Sequence, residues 1–176
     1  DRAEKQLDVL ADASKEAGLG SLLYRAALHA ESTRRQMFEA GTFPLGQARA
    51  VSGSIDGKPF ESIVDADPRI GPRLEVYAAG AYLWLPFEHI ASIEIQRPQR
   101  LRDLIWIPAL VQPAASFEPR QLGEVLLPVL TPLASKHSDD AVRVGRATLW
   151  EQAGDEHEGP AGQKKVNQYT RYLTVL

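Results

Sequence analysis

The 176 residues, 44% hydrophobic and 24% charged, have the composition of a soluble globular protein with room for one ordinary domain or two small ones. The formal net charge of −3 argues against a general binder of phosphate backbones, and no apolar run reaches the roughly 18 residues that span a bilayer. The absence of cysteine removes disulfides, thiolate nucleophiles and Cys-based zinc sites.

The chain opens inside a helical pattern, DRAEKQLDVL, without an initiator methionine, and closes inside the strand-like run YLTVL, so further residues are expected at both ends. Residues 2 to 40 read as two helices. In the first, Ala3, Leu7, Leu10, Ala13 and Ala17 recur at helical spacing, and Gly18 and Gly20 are expected to break it. The second runs from Ser21, a plausible N-cap, to Ala40, with Leu22, Leu23, Ala26, Ala30, Met37 and Phe38 in one stripe; Gly41 and Pro44 stop it. Short paired helices with alanine at the crossing points predict an αα-hairpin of the tetratricopeptide type. A single pair cannot bury its own face, so it must pack on the rest of the chain or on something else.

From about Ser52 the pattern changes to short strands and turns. Asp56-Gly57 in SGSIDGKPFESI is a strong hairpin signal, because both residues tolerate positive φ. DADPRIGP, residues 65 to 72, reads as loop. LEVYA and YLWLP are strands around Ala79-Gly80-Ala81, PFEHI a single turn and SIEI another strand. The period of two puts Tyr82 and Trp84 on one face and Leu83 and Leu85 on the other, so one face meets the core and the other meets the helices or a partner. RLRDLIWIPALVQ reads as a turn into a strand, and GEVLLPVLTP as a strand. Pro108, Pro113, Pro119, Pro128 and Pro132 are expected at edges, strand starts and bulges. SDDAVRVGRATLW predicts a helix capped by Ser138, with Asp139 and Arg143 as an i,i+4 pair. DEHEGPAGQ is a polar loop, and KKVNQYTRYLTVL a closing strand. The fold class is therefore α+β: a helical tetratricopeptide-like part over residues 1–47, then a compact, mostly antiparallel β part over 48–176, a small barrel or sandwich with one or two short helices.

Catalytic constellations are weak. Glu88-His89 are adjacent in a turn and diverge, so framework explains them better than an acid–base pair. His137, Ser138, Asp139 and Asp140 could ligate a metal, but a capped helix start explains them without one. His157 lies in an acidic loop, and His29 on a helix surface. No nucleophile elbow, zinc-protease motif, Walker loop or dinucleotide fingerprint is present. The enzyme alternative is a hydrolase or metal-assisted site of Glu88, His89, His137 and Asp139, which requires these side chains to converge. Arg97, Arg100 and Arg102 beside Trp106 would suit single-stranded nucleic acid, but Asp103 interrupts the run. Trp84, Trp106 and Trp150 read as core. No cofactor, metal, nucleic acid or membrane is expected.

Several motifs in fixed order carry a resemblance: G-x-I-D-G-x-P-F from residue 53, D-A-D-x-R-I-G-P from 65, Y-x-W-x-P-F-E-x-I from 82, L-R-D-L-x-W-x-P from 101 and D-D-A-x-R-x-G-R-x-T-x-W from 139. With YRAALHAESTRRQMFEAGTFP before them, they make the chain similar to the ImpE family, also called TagJ or SciE, accessory proteins of bacterial type VI secretion. The resemblance implies a tetratricopeptide-like part followed by a β part, and a non-enzymatic cytoplasmic adaptor. That adaptor binds the N-terminal helix of the small contractile-sheath subunit and supports sheath assembly or recycling, with the recycling ATPase engaged indirectly. It also implies more helix before residue 1 and between Pro44 and the Asp56-Gly57 hairpin, where only LGQARAVSG stands here. The expected partner-binding row is Tyr24, Leu28, Glu31 and Arg35 on the second helix, with Trp84 and Arg102 as further candidates at a domain junction. The competing expectation is that this row packs on the β part.

Overall fold

This computed structural model describes residues 2–41, 43, 49, 51–115, 117, 122–152, 158–164 and the backbone of 172–175. Two helices come first, α1 (Arg2–Ala11) and α2 (Lys15–Ala40). The break between them lies just before Lys15, not at the glycines. Ser14 has extended backbone, and its hydroxyl accepts the Ala17 N–H at 3.1 Å, satisfying an orphan donor of the first turn. Gly18 and Gly20 therefore lie within α2, and Ser21, expected as the cap, is buried in mid-helix. Gly18 has a packing reason: a β-carbon there would stand 3.3 Å from the Ala11 carbonyl oxygen at the end of α1. Close approach of the helices offsets the roughly 1 kcal/mol that glycine costs in a helix.

The strands are β1 (Gly53–Ile55), β2 (Lys58–Phe60), β3 (Arg73–Ala78), β4 (Ala81–Pro86), β5 (Ile90–Ile95), β6 (Trp106–Pro113), β7 (Gly123–Pro128), β8 (Thr148–Gln152), β9 (Glu158–Gly162) and β10 (Tyr172–Val175). Single 3-10 turns stand at Phe87–His89, Leu101–Leu104 and Ala134–Lys136. Asp56-Gly57 joins β1 to β2 with both φ positive, 49° and 78°, as the sequence signal predicts, and Ala79-Gly80 does the same between β3 and β4.

Eight strands form one antiparallel sheet in the order β2-β1-β10-β5-β6-β7-β3-β4, and β8 pairs with β9 in a separate ribbon. The α+β class holds. A barrel or sandwich was expected; among the described residues no pairing joins β2 to β4, so the pairing is that of an open sheet. Both end strands carry a proline, Pro59 and Pro86, which interrupts the row of free donors an edge would offer another chain. Pro108 departs from expectation by sitting inside β6, between β5 and β7. Its carbonyl accepts from Gln96 just beyond the last β5 pair, so its missing N–H falls where β5 has run out. Pro119 lies outside the described residues.

The predicted helix over residues 138–150 shrinks to α3 (Asp140–Arg143). Asp139, not Ser138, is its cap, accepting from the Ala141 N–H at 2.7 Å, and Arg143 pairs with Asp140 at 2.8 Å rather than with Asp139. Gly145, at φ 71°, follows, and the chain then turns into β8.

One sheet face carries the main core: Val76, Leu85, Phe87, Ile90, Val111 and Leu127 are buried together. The other face receives α2. Gly80, at the β3–β4 corner, comes so close to α2 that an added β-carbon would lie 3.2 Å from the Ala26 β-carbon. Ala30 packs with Tyr77 and Trp106, and Phe38 meets Trp84 with ring centroids 5.8 Å apart. Strand alternation sends Val76 into the core and Glu75 and Tyr77 toward the helix. Glu75, 1% exposed, takes the Arg34 Nε at 2.7 Å and Nη2 at 3.2 Å; Lys164 and the Tyr82 hydroxyl also donate to it. Arg34 further donates to the Leu130 carbonyl at 2.9 Å, and Lys164 to Asp65 at 2.7 Å. Helix, sheet and the segment after β9 are thus tied at one buried carboxylate.

Burial by itself would raise the Glu75 pKa. Lys164 and Arg34 more than reverse that and hold it at about 2, below the ordinary 4.5. Glu75→Ala would strand two buried cations and is expected to cost about 3–5 kcal/mol, read from urea unfolding. A cost under about 1 kcal/mol would show that the cluster does not fasten the helix. Because the folded pKa is depressed, the contribution of Glu75 is complete above about pH 4.5 and is lost as pH falls toward 2. Unfolding free energy followed across that window should fall less steeply in Glu75→Gln than in the natural chain.

Candidate interaction surface

Beside the point where Arg34 enters the sheet, a cleft of about 530 Å³ opens between α2 and the strands. Leu28, Glu31 and Arg35 line one wall, and Ile105, Trp106 and Leu130 the other. Three of the four residues of the predicted row therefore share one concave surface. Tyr24, the fourth, is exposed on α2 but does not line the cleft. Glu31 serves both expectations at once. Its Oε2 accepts from the Tyr77 hydroxyl, its Oε1 is 3.5 Å from Arg34, and it stays partly open to the cleft. Arg35, 54% exposed, stands at the cleft's edge with its Nε 3.9 Å from Glu39.

The turn that precedes Ile105 is held by a polar pin. Asp103 is buried, and one of its oxygens accepts the Gln99 and Arg100 N–H groups at 2.9 and 3.0 Å. Arg102 sits 3.2 Å from the other oxygen. The turn Leu101–Leu104 is thereby fixed, and Leu101, Leu104 and Ile105 are left exposed. Arg102, a partner-binding candidate, is occupied by Asp103 and lies outside the cleft lining. Trp106 is 7% exposed under α2. A nucleic-acid surface of Arg97, Arg100, Arg102 and Trp106 thus lacks its stacking platform and one of its three cations.

Trp84, the other junction candidate, does stand between helix and sheet. It is stacked on Phe43 at 5.8 Å and 13°, packed on Phe38, and has Arg73 at 6.0 Å over its ring. It fills the joint rather than the cleft. Trp150, read as core, is 62% exposed on β8. The predicted stripe on α2 also divides: Ala30 and Phe38 are buried, whereas Leu22 and Leu23 are more than half exposed, as are Val9, Leu10 and Leu19. A helix pair with five such side chains outside presents a large apolar surface.

No hydrogen bond, ion pair or pocket joins the two halves of the enzyme alternative among the described residues. Glu88 and His89 lie in the turn before β5, where the His89 ring packs against Phe117 at 5.4 Å. His137 and Asp139 lie before β8: His137 Nδ1 accepts the Asp139 N–H at 2.9 Å, and Nε2 meets Glu151 at 2.7 Å. The Glu151 carboxylate raises the His137 pKa and clips the ribbon to the turn. Among the described residues no group of three His, Asp or Glu could hold a metal, and no helix is long and apolar enough to cross a membrane. His157 lies outside the described residues, and His29 is exposed.

Sequence reasoning named none of Arg34, Glu75 and Lys164 as a group. A signal existed for one of them: Glu75 is the single charge in the apolar run LEVYA. Its partners are 41 and 89 residues away along the chain, and only the fold brings them to it.

The family model described as ImpE protein matches residues 57–174. A curated relative, the type VI secretion system accessory component TagJ of Pseudomonas aeruginosa, is 38% identical over 138 residues, covering 77% of this chain. A Vibrio parahaemolyticus protein of known crystal structure superposes with a TM-score of 0.61 over 89% of this chain at 20% identity, a likeness of fold. The chain spans 43% of the length of the Pseudomonas relative and 57% of that of the Vibrio protein. The family match over two thirds of the residues, joined to the identity with a type VI secretion accessory component, establishes that this chain belongs to the ImpE family.

Proposed function

We propose that this protein is a non-enzymatic cytoplasmic adaptor of type VI secretion that receives the N-terminal helix of the small contractile-sheath subunit. It would support sheath assembly or recycling, with the recycling ATPase engaged only through the sheath. The observation that carries this reading is the cleft between α2 and the strands, lined by Leu28 on one side and by Ile105, Trp106 and Leu130 on the other. A helix needs such a groove for anchors spaced at i, i+3, i+4 and i+7. Residues 1–47 would act as a tetratricopeptide-like arm and 48–176 as the platform that holds it. The exposed leucines of α1 and of the first turns of α2 lie outside the cleft lining.

Glu31 and Arg35 stand at the rim, and Tyr24 extends the row toward the exposed end of α2. Trp84 and Arg102 would act indirectly, one filling the joint under α2 and the other bracing the turn that leads into Ile105.

Calorimetric titration with a peptide of the sheath subunit's first helix tests the site. Leu28→Asp is expected to weaken binding at least tenfold, about 1.4 kcal/mol, with the fold intact because Leu28 is 38% exposed. Tyr24→Ala combined with Arg35→Glu should weaken it as well. Unchanged affinity in both variants would remove this row from the site.

A further inference from the structure

The lining of the cleft is more basic than the chain around it. The protein carries a formal charge of −3, yet Arg25, Arg34 and Arg35 face the cleft against only Glu4 and Glu31. Most of these charges are spoken for. Glu75 neutralises Arg34, Asp8 pairs with Arg25, and Glu31 is turned inward to Tyr77 and Arg34. Arg35 is different. The carboxylate nearest it is that of Glu39, at 3.9 Å, and the same Glu39 oxygen already takes the Lys136 ammonium at 2.6 Å. One exposed anion is shared by two cations, and the guanidinium at the rim has donors to offer.

Resting on the adaptor reading, we infer that the cleft selects amphipathic helices that carry a carboxylate beside the apolar stripe, and that Arg35 is the residue that reads it. Leu28 and Arg35 are seven residues apart on α2, about 10 Å along its axis. On a helix lying along α2, the carboxylate therefore stands about two turns from the side chain that meets Leu28. A guanidinium suits a carboxylate because its planar fork can engage both oxygens. The apolar wall supplies contact area, and the charge at its end supplies register and choice of partner.

The test uses the full chain and two synthetic helices with the same leucine stripe, one with glutamate and one with lysine two turns from the anchor. The glutamate helix should bind about tenfold more tightly, and the advantage should shrink as salt rises. Arg35→Ala should abolish the preference, Arg35→Glu should invert it, and Arg35→Lys should keep part of it. Equal binding of the two helices, with the sheath-subunit peptide still bound, overturns the charge selection and leaves the adaptor reading standing. Failure of all three peptides to bind removes both.

Discussion

A carboxylate with almost no contact with water organises this protein. Glu75 projects from β3 toward α2, where three donors from three parts of the chain meet it: Arg34 of the helix, Lys164 after β9 and Tyr82 of the neighbouring strand. Such a group is tolerated only if its ligands are complete, since any one of them left alone would be a buried charge or an unpaired donor. The cluster therefore acts as a registry device. A slide of α2 from this placement by one turn would carry Arg34 away from Glu75 and the Leu130 carbonyl and break these contacts.

That placement decides what the helix shows to solvent. Below Ala26 the helix lies on β3 and β4, with Ala30, Arg34 and Phe38 buried. Above it the helix runs on with α1, and Leu19, Leu22 and Leu23 remain outside. The cleft sits where these halves meet. Its far wall includes Trp106, which packs with Ala30 and Tyr77, and Ile105, which follows the turn that Asp103 holds. A preorganised wall loses little entropy when another helix arrives, which is how a modest groove gains affinity.

The central aromatic ribbon turns out to be divided in its duties. Leu85 and Phe87 enter the main core, whereas Tyr82 and Trp84 face α2 through a chain of donors and stacked rings ending at Glu75, Phe38 and Phe43. Neither Glu88 nor His89 joins His137 in a common site, and His137 is used to fasten the β8–β9 ribbon. Of the titratable groups that first drew notice, those with placed partners serve as caps, pins and clips.

The local pattern was legible in the residues themselves. The two-residue turn at Asp56-Gly57, the chain reversal around Gly80, the alternation in YLWLP, the single turns at residues 87 and 101 and the α+β order follow from local turn signals and side-chain period, which act within a few residues. Where tertiary contact competes with local preference, the sequence misled. Gly18 and Gly20 look like a stop until α1 is seen pressed against one of them, and Ser21 looks like a cap although Ser14 already serves. Pro108 looks like an edge residue until β5 is seen to end beside it. Which arginine of the 34–35 pair is buried, which leucines of the α2 stripe stay wet, and that a cleft lies between Leu28 and Ile105 were settled only by the packed molecule. The physical reason is range: turns and periods are properties of neighbouring peptides, whereas burial and ion pairing depend on partners that sequence distance does not constrain.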